Sequence, residues 1–216
     1  MNEKAKVIVL LFFGALQSCE PTDKKLPVLG RPQLIEKIVD GATVIDTIAH
    51  SIAEFKFLNQ DSVWVTNSTF NDKIYVADFF FTSCPSICPI MKSQLIRIYD
   101  KFENEERLKL VSYSIDPEYD TVAVLRDYAN ALGVSSDRWH FLTGDKNEIY
   151  DLGEISYMVA AAEDEESPGG FLHSGAFLLI DGQRRIRGVY DGTVSDQIDE
   201  LMADIRILLK ENEKAE

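Results

Sequence analysis

The stretch Ile74-Tyr75-Val76-Ala77-Asp78-Phe79-Phe80-Phe81-Thr82-Ser83-Cys84-Pro85-Ser86-Ile87-Cys88-Pro89 decides the fold. It begins with a nearly continuous apolar run, which is typical of a central strand buried on both faces of a sheet. Beyond the first cysteine, apolar residues recur at three- and four-residue spacing and predict an amphipathic helix. These residues are Ile87, Met91, Leu95, Ile98 and Phe102. The two cysteines therefore lie where a strand passes into a helix.

The rest of the domain continues to alternate strands and helices. Each element is predicted from its hydrophobic period and from the turn residues that bound it. One helix is also bounded by a glycine C-cap. In order, the elements are a hairpin over 53–66, a strand over 107–115, a helix over 121–132 capped by Gly133, a strand over 140–142, a helix over 146–152, a charged loop over 163–170, a hairpin around Gly182 and a helix over 194–210. This order predicts one α/β domain with a thioredoxin-like fold and an N-terminal β-hairpin extension.

The first nineteen residues resemble an export signal. A short segment with Lys4 and Lys6 precedes the apolar run Val7–Leu16, which suits a signal-peptide core and is too short to span a bilayer as a mature helix. The run ends in Leu16-Gln17-Ser18-Cys19, which resembles a bacterial lipoprotein cleavage box. We predict a lipoprotein signal peptide over 1–18 and a lipid anchor on Cys19. The alternative is an ordinary secretory peptide with a spare thiol.

These assignments give a complete domain plan and a location. Residues 19–52 are expected to form a tether and an irregular segment leading into the domain, because prolines and glycines interrupt them. The thioredoxin-like domain is expected over 53–212, followed by a frayed tail over 213–216. The protein is expected to be exported and lipid-anchored to a bacterial membrane, facing the periplasm or the cell exterior.

Overall charge limits the partners. The chain has 22 Lys and Arg against 36 Asp and Glu, a formal net charge of −14. Such a chain repels phosphate backbones, so no nucleic-acid partner is expected. The acidity is otherwise attributed to solubility.

The pair Cys84 and Cys88 carries the chemistry. The chain has three cysteines, so a lipidated Cys19 would leave two thiols in an oxidising compartment. A disulfide between them would close a loop of a few residues and stabilise little. A helix N-terminus is expected to lower their pKa and favour thiolate, which is both a nucleophile and a metal ligand. The three intervening residues favour a metal over dithiol exchange, which usually has two.

His173 adds an imidazole to this pair. It precedes an apolar run whose strand should begin near the strand–helix junction. Two thiols and one imidazole form a soft, three-coordinate set that favours copper, especially Cu(I). By contrast, His140 is expected to be structural, and His50 receives no role.

Four segments together resemble one known family. The first is Val76–Pro89, quoted above. The others are Ser114-Ile115-Asp116-Pro117-Glu118-Tyr119-Asp120-Thr121, Trp139-His140-Phe141-Leu142-Thr143-Gly144, and His173-Ser174 before Phe177-Leu178-Leu179-Ile180-Asp181. They resemble the Sco/SenC family, copper proteins that assist cytochrome c oxidase assembly. The likeness extends over roughly 53–209.

The resemblance implies a thioredoxin-like fold with Cu(I), Cu(II) or both bound by Cys84, Cys88 and His173. It implies an acceptor such as cytochrome c oxidase subunit II, and a copper donor. Asp78 and Asp116 are candidates to lie beside the thiols and tune them, although Asp116-Pro117 also suits a simple turn. The loop before His173 departs from the family, which often has aspartates there; this chain has Glu163-Asp164-Glu165-Glu166 followed by Ser167-Pro168-Gly169-Gly170.

Four functions remain open. The favoured one is a membrane-anchored copper metallochaperone that helps to mature the binuclear copper centre of the oxidase. The second is a thiol-disulfide reductase acting on the cysteines of that centre, with Cys84 and Cys88 as its redox-active pair. A peroxiredoxin-like peroxidase and a redox or copper sensor are further alternatives. If the protein is an enzyme, a thiol-disulfide oxidoreductase is expected.

Overall fold

The computed structural model describes residues 25–163 and 171–213, except for the side chains of 161–163, 172–173 and 212–213. The strands are β1 Gln33–Val39, β2 Ala42–Ile48, β3 Lys56–Asn59, β4 Trp64–Thr66, β5 Ile74–Phe80, β6 Leu108–Ser114, β7 Trp139–Thr143, β8 Ala161–Glu163, β9 Phe171–His173, β10 Ala176–Ile180 and β11 Ile186–Asp191. The helices are α1 Cys88–Lys101, α2 Val122–Leu132, α3 Lys146–Asp151 and α4 Ser195–Glu213, with a 3₁₀ turn Asn67–Phe70 and a π-helical turn Leu152–Tyr157.

A seven-stranded mixed sheet forms the centre of the domain. Its strand order is β11-β10-β5-β6-β7-β3-β4. The neighbours β5, β6 and β7 run parallel, whereas the outer strands pair antiparallel. Every residue of β5 is buried, as its apolar run predicts. The strand that leads to the cysteines is therefore enclosed along its whole length.

Helical elements cover both faces of the sheet. Phe80 of β5 contacts Tyr128 of α2, with ring centroids 5.7 Å apart, on the face that also carries α1. The next residue back, Phe79, faces the opposite side and meets Tyr157 of the π-helical turn at 5.5 Å. Alternate side chains of β5 thus enter two separate apolar layers. This two-layer burial explains why β5 has no polar face in the sequence apart from Asp78.

The N-terminal segment differs from its prediction. Residues 33–48 are not irregular but form an antiparallel hairpin, in which Gln33 pairs with Ile48. Asp40 and Gly41 make the turn, with φ of 53° and 82°. An Asp-Gly pair with positive φ at both positions is a favoured two-residue hairpin turn. Gly41 therefore belongs to a tight turn rather than to an irregular segment.

The closing helix agrees with its prediction. Ile198, Leu201, Ile205 and Leu208 of α4 are all fully buried. Helix α2 likewise ends as expected, at Gly133 in the left-handed conformation with φ of 70°. Among residues 25–163 and 171–213, no helix is both long and apolar enough to cross a membrane. The predicted tail at 213–216 lies outside the described residues apart from Glu213, the last residue of α4.

Candidate metal centre

Residues 81–87, here the cysteine loop, join β5 to α1. Helix α1 begins at Cys88 itself, so Pro89 occupies the second helical position. Both Cys84 and Cys88 are thiols and are 8% and 6% exposed. They hydrogen-bond to each other, and Cys84 Sγ also lies 3.6 Å from Ser86 Oγ. The three-residue spacing therefore brings both sulfurs together at the start of one helix.

The protonation state of Cys88 corrects one prediction. The helix N-terminus was expected to lower the thiol pKa, but burial raises the pKa of Cys88 well above its usual value. The hydrogen bond that the Cys88 thiol makes with Cys84 raises this pKa further, whereas a hydrogen bond with the Phe81 backbone lowers it. Loss of hydration outweighs the helix dipole because the sulfur is enclosed. Cys88 is therefore a protonated thiol until a cation replaces its proton.

A buried carboxylate fixes the start of the cysteine loop. Asp120, which is fully buried, accepts hydrogen bonds from the backbone N–H and the hydroxyl of Thr82. It also accepts one from Ser114 Oγ at 2.6 Å. These contacts tie the loop to the end of β6, two residues before Cys84. Sequence reasoning missed Asp120, although its position just after a buried strand was a usable signal.

Asp78 lies beneath Cys88. Both side chains line a small cavity between α1 and the sheet. Ser112 Oγ donates to Asp78 Oδ1 at 2.5 Å, and burial raises the pKa of Asp78 to about 7. The charge of Asp78 also contributes to the raised pKa of Cys88. The structure thus places Asp78 where it can act on this thiol, and its effect on a bound metal stays a prediction.

Asp116 takes part in a turn. Its carbonyl oxygen accepts hydrogen bonds from the backbone N–H groups of Tyr119 and Asp120. Its own N–H donates to Ser114 Oγ at 3.2 Å. These contacts are those of a turn after β6, the simpler of the two interpretations of Asp116-Pro117. An influence of Asp116 on the thiols stays a prediction.

The backbone of His173 lies beside the cysteine loop. It belongs to β9, where it pairs with Ala161 of β8. Two residues earlier, the Phe171 ring contacts Phe81 with centroids 5.0 Å apart. Two residues later, a β-carbon built on Gly175 would lie 3.7 Å from Ile87 Cδ1. Contacts on both sides of His173 therefore bring this segment against both ends of the loop.

The imidazole of His173 is not among the described side chains. Among those that are described, no group of three or more His, Cys, Asp or Glu residues is arranged to hold a metal ion. The set of Cys84, Cys88 and His173 therefore stays a prediction, supported by the placement of the two thiols and of the His173 backbone.

Comparison with known proteins identifies the family. The family model described as SCO1/SenC matches residues 46–210. The chain belongs to the SCO1/SenC family. The resemblance found in the sequence motifs is thereby confirmed.

Solved structures of SCO1/SenC relatives confirm the fold. A SCO1/SenC family lipoprotein from Bacillus anthracis is 25% identical, with a TM-score of 0.68 over 74% of this chain and 95% of the relative. BsSco is described as a member of the Sco family of cytochrome c oxidase assembly proteins in which a disulfide switch is identified. It is 28% identical to this chain, with a TM-score of 0.65 over 74% of this chain and 94% of BsSco. Copper-bound ScoI from Arabidopsis thaliana is 27% identical, with a TM-score of 0.60 over 71% and 97%.

The other two histidines are buried among the packed elements of this SCO1/SenC domain. His50 Nε2 lies 2.6 Å from the Ser156 carbonyl oxygen, where the ring joins the N-terminal segment to the π-helical turn. His140 packs against Phe70 in an edge-on contact at 5.7 Å. Burial lowers the pKa of His140 to about 4, so it is neutral at pH 7. These contacts agree with the structural role expected for His140.

The loop before His173 lies mostly outside the described residues. Of its predicted range 163–170, the structure describes Glu163 at the end of β8, and 164–170 lie outside. Strands β8 and β9, which flank this loop, were not predicted. They pair as a separate two-stranded sheet, which delivers His173 to the cysteine loop.

Proposed function

We propose that this protein is a copper metallochaperone, in which Cys84, Cys88 and His173 bind one copper ion as cargo for transfer to a partner. The observation that carries the proposal is the placement of two buried, hydrogen-bonded thiols at the start of α1, with the His173 backbone beside their loop. Two sulfurs and an imidazole nitrogen suit Cu(I), and they also allow Cu(II).

The relatives support copper as the cargo and the oxidase as the destination. ScoI from Arabidopsis thaliana has been solved with copper bound, and BsSco is described as a member of a cytochrome c oxidase assembly family. We therefore propose that the acceptor is the binuclear copper centre of cytochrome c oxidase subunit II or a similar site. A separate copper donor is required to load the protein.

The site geometry suits loading and release. Because burial keeps Cys88 protonated, binding of copper must displace its proton, so retention of copper depends on ligand protonation. A three-ligand site leaves room for one incoming ligand, so a partner cysteine or histidine can join before the original ligands leave. The Asp120 contacts hold the cysteine loop in place during this exchange.

We propose that the protein reaches its partner from a membrane surface. The lipoprotein box ending at Cys19 supports cleavage and lipidation at that residue. A relative from Bacillus anthracis is described as a lipoprotein. The domain would then face the periplasm or the cell exterior, where the acceptor centre is assembled.

A thiol-disulfide reductase is the second candidate function. The observation that favours it is the direct hydrogen bond between Cys84 and Cys88, which puts the sulfurs close enough for oxidation to a disulfide after a small adjustment. BsSco is described as having a disulfide switch. In this function the dithiol reduces the cysteines of the acceptor centre, and His173 is not required.

Copper stoichiometry separates these functions. The reduced protein that begins at Glu20 is loaded anaerobically with Cu(I), freed of excess metal and analysed for copper per chain. We expect about one copper for the wild type and a sharp loss of affinity in His173→Ala and Cys88→Ser. Asp116→Asn is the matched control and should retain copper, because Asp116 contributes backbone turn contacts.

A parallel assay measures reduction of a model disulfide by the same variants. Equal copper binding in the wild type and His173→Ala would contradict the proposed ligand set. Weak copper binding in both, together with rapid disulfide reduction in both, would establish the reductase instead. Loss of exchange in His173→Ala would contradict the simple reductase.

A further inference from the structure

The hairpin of β1 and β2 exposes an unusual amount of apolar surface. It forms its own two-stranded sheet, and six large aliphatic residues in it are exposed. Two-stranded hairpins are marginally stable in water without a packed face. The segment that matches the family model begins at residue 46, so nearly all of this hairpin precedes it. These exposed residues are Leu34, Ile38, Val39, Val44, Ile45 and Ile48.

The pairing register divides the hairpin into two unlike faces. Leu34 pairs with Thr47, Ile45 with Glu36, and Ile38 with Thr43, so these six side chains share one face. Leu34, Ile38 and Ile45 are the most exposed aliphatic residues of the hairpin, at 72%, 80% and 66%. We name Leu34, Ile38 and Ile45 the hairpin patch. On its face the one charged residue is Glu36.

The opposite face of the hairpin is mixed. It carries an ion pair between Lys37 Nζ and Asp46 Oδ2 at 2.5 Å. Its apolar residues are better covered than those of the patch: Ile35 is partly buried, and Val39, Val44 and Ile48 are 51%, 45% and 47% exposed. The most exposed aliphatic side chains and the ion pair therefore lie on different faces of the hairpin. One face retains exposed charges, while the hairpin patch projects three aliphatic side chains without a described neighbour that covers them.

The chain just before the hairpin is held firmly to the domain. Leu26 donates its N–H to Glu211 of α4, and its carbonyl oxygen accepts a hydrogen bond from Arg187 of β11. Arg187 also donates to the Pro27 carbonyl at 2.9 Å. The Leu29 N–H then bonds to Ile186 of β11 at 2.8 Å. The N-terminal segment thus leaves the domain from a fixed place at the β11 edge.

Chain length relates this place to the proposed lipid anchor. Leu26 follows Cys19 by seven residues, a reach of at most about 25 Å. Gln33, the first residue of the hairpin, follows Leu29 by four residues, a reach of about 14 Å. An anchor on Cys19 therefore holds the β11 edge near the bilayer, and the hairpin begins at that same edge.

We infer that the hairpin patch docks on the lipid surface and sets the orientation of the anchored domain. This inference rests on the lipid anchor of the proposed function. The open edges of β1 and β2 need water as hydrogen-bond partner, so the hairpin lies at the headgroup level and only its patch reaches the acyl chains. The acyl anchor and the patch then form two contacts with the bilayer, which restrict how the domain rotates above it.

The test uses the full chain, processed in a lipoprotein-producing bacterium and reconstituted in phosphatidylcholine vesicles with brominated acyl chains. A Trp64→Phe background leaves the buried Trp139 as the single native tryptophan. Ile38→Trp then reports on the hairpin patch. Val63→Trp is the matched control, because Val63 is exposed beside β4, at the sheet edge opposite β11. Mass spectrometry of the N-terminal peptide reports separately on lipidation.

In the lipidated chain, we expect the brominated lipids to quench most of the tryptophan fluorescence that Ile38→Trp adds. The emission maximum of this variant should also shift to the blue, whereas the fluorescence that Val63→Trp adds should not be quenched. If the chain is lipidated but neither probe is quenched, the docking is overturned while the anchor stands. Equal quenching of both probes would also overturn it, since the domain would then have no fixed orientation. A dimer in ultracentrifugation that Ile38→Asp breaks would assign the patch to a second copy instead. A chain recovered without lipid would overturn both the anchor and the docking.

Discussion

Replacement of Asp120 tests how the cysteine loop is held. The carboxylate of Asp120 is buried and accepts three hydrogen bonds, two from Thr82 and one from Ser114. In Asp120→Ala these donors lose their acceptor. The two hydroxyls can turn toward other groups, but the Thr82 backbone N–H cannot. The free-energy cost of losing three hydrogen bonds to a charged group is partly offset, because burial itself disfavours the Asp120 carboxylate and raises its pKa.

We expect Asp120→Ala to lower the free energy of unfolding by about 3 kcal/mol. Asp120→Asn is the matched control, because its carbonyl can accept from the Thr82 N–H and Ser114 while its amide donates to the Thr82 hydroxyl. It should stay within about 1 kcal/mol of the wild type, since it also removes the buried charge.

Urea denaturation of both variants, followed by circular dichroism, measures these differences. Copper affinity should fall with stability in Asp120→Ala, because Thr82 lies two residues before Cys84. An alanine variant within about 0.5 kcal/mol of the wild type would refute the reasoning. So would an asparagine variant as unstable as the alanine one, because the hydrogen bonds would then not account for the loss.

Two further predictions concern buried charged and titratable groups. Because burial lowers the pKa of His140 to about 4, this residue binds more protons in the unfolded chain between about pH 6.5 and 4, so its contribution makes stability fall as pH decreases through this range. His140→Gln should remove up to about 3 kcal/mol of this decrease, measured by urea denaturation at pH 7 and 4.5, and an identical pH dependence in both proteins would contradict it. Arg187→Met should cost about 3–5 kcal/mol, because Asp181 and Glu211 lose their buried cation. Thermal denaturation measures this loss of stability, with Arg97→Met as the control. Arg97→Met removes an exposed ion pair and should lower the free energy of unfolding by less than about 1 kcal/mol, so equal losses in the two variants would contradict the prediction.

The elements that could be predicted are those in which local pattern and burial agree. The apolar run of β5 has no polar alternation because both of its faces are covered, and the structure buries all of it. Helix α2 was bounded correctly at its C-terminus because Gly133 adopts the left-handed conformation that a C-cap requires.

The elements that were missed depend on context that a sequence pattern does not display. Residues 33–48 alternate poorly, since apolar side chains occur on both faces of the hairpin, and the Asp-Gly turn was taken as part of a tether. Strands β8 and β9 have three residues each, too few for a periodic signal. The π-helical turn extends α3 without any change of composition.

The placement of the two thiols was predicted better than their electrostatics. The spacing of Cys84 and Cys88 correctly indicated two sulfurs at one helix start. The predicted direction of the Cys88 pKa shift was wrong because its cause, burial of the sulfur, is a tertiary property. Asp120 escaped notice because its contacts with Thr82 cross 38 residues of sequence.

The measurement that tests the central claim most directly is copper X-ray absorption on the reduced, Cu(I)-loaded protein. We expect scattering from two sulfurs and one nitrogen, as Cys84, Cys88 and His173 would provide. In His173→Ala the nitrogen contribution should disappear or be replaced by a ligand from the buffer. A wild-type spectrum with sulfur ligands alone, or one unchanged by His173→Ala, would contradict the proposed copper site.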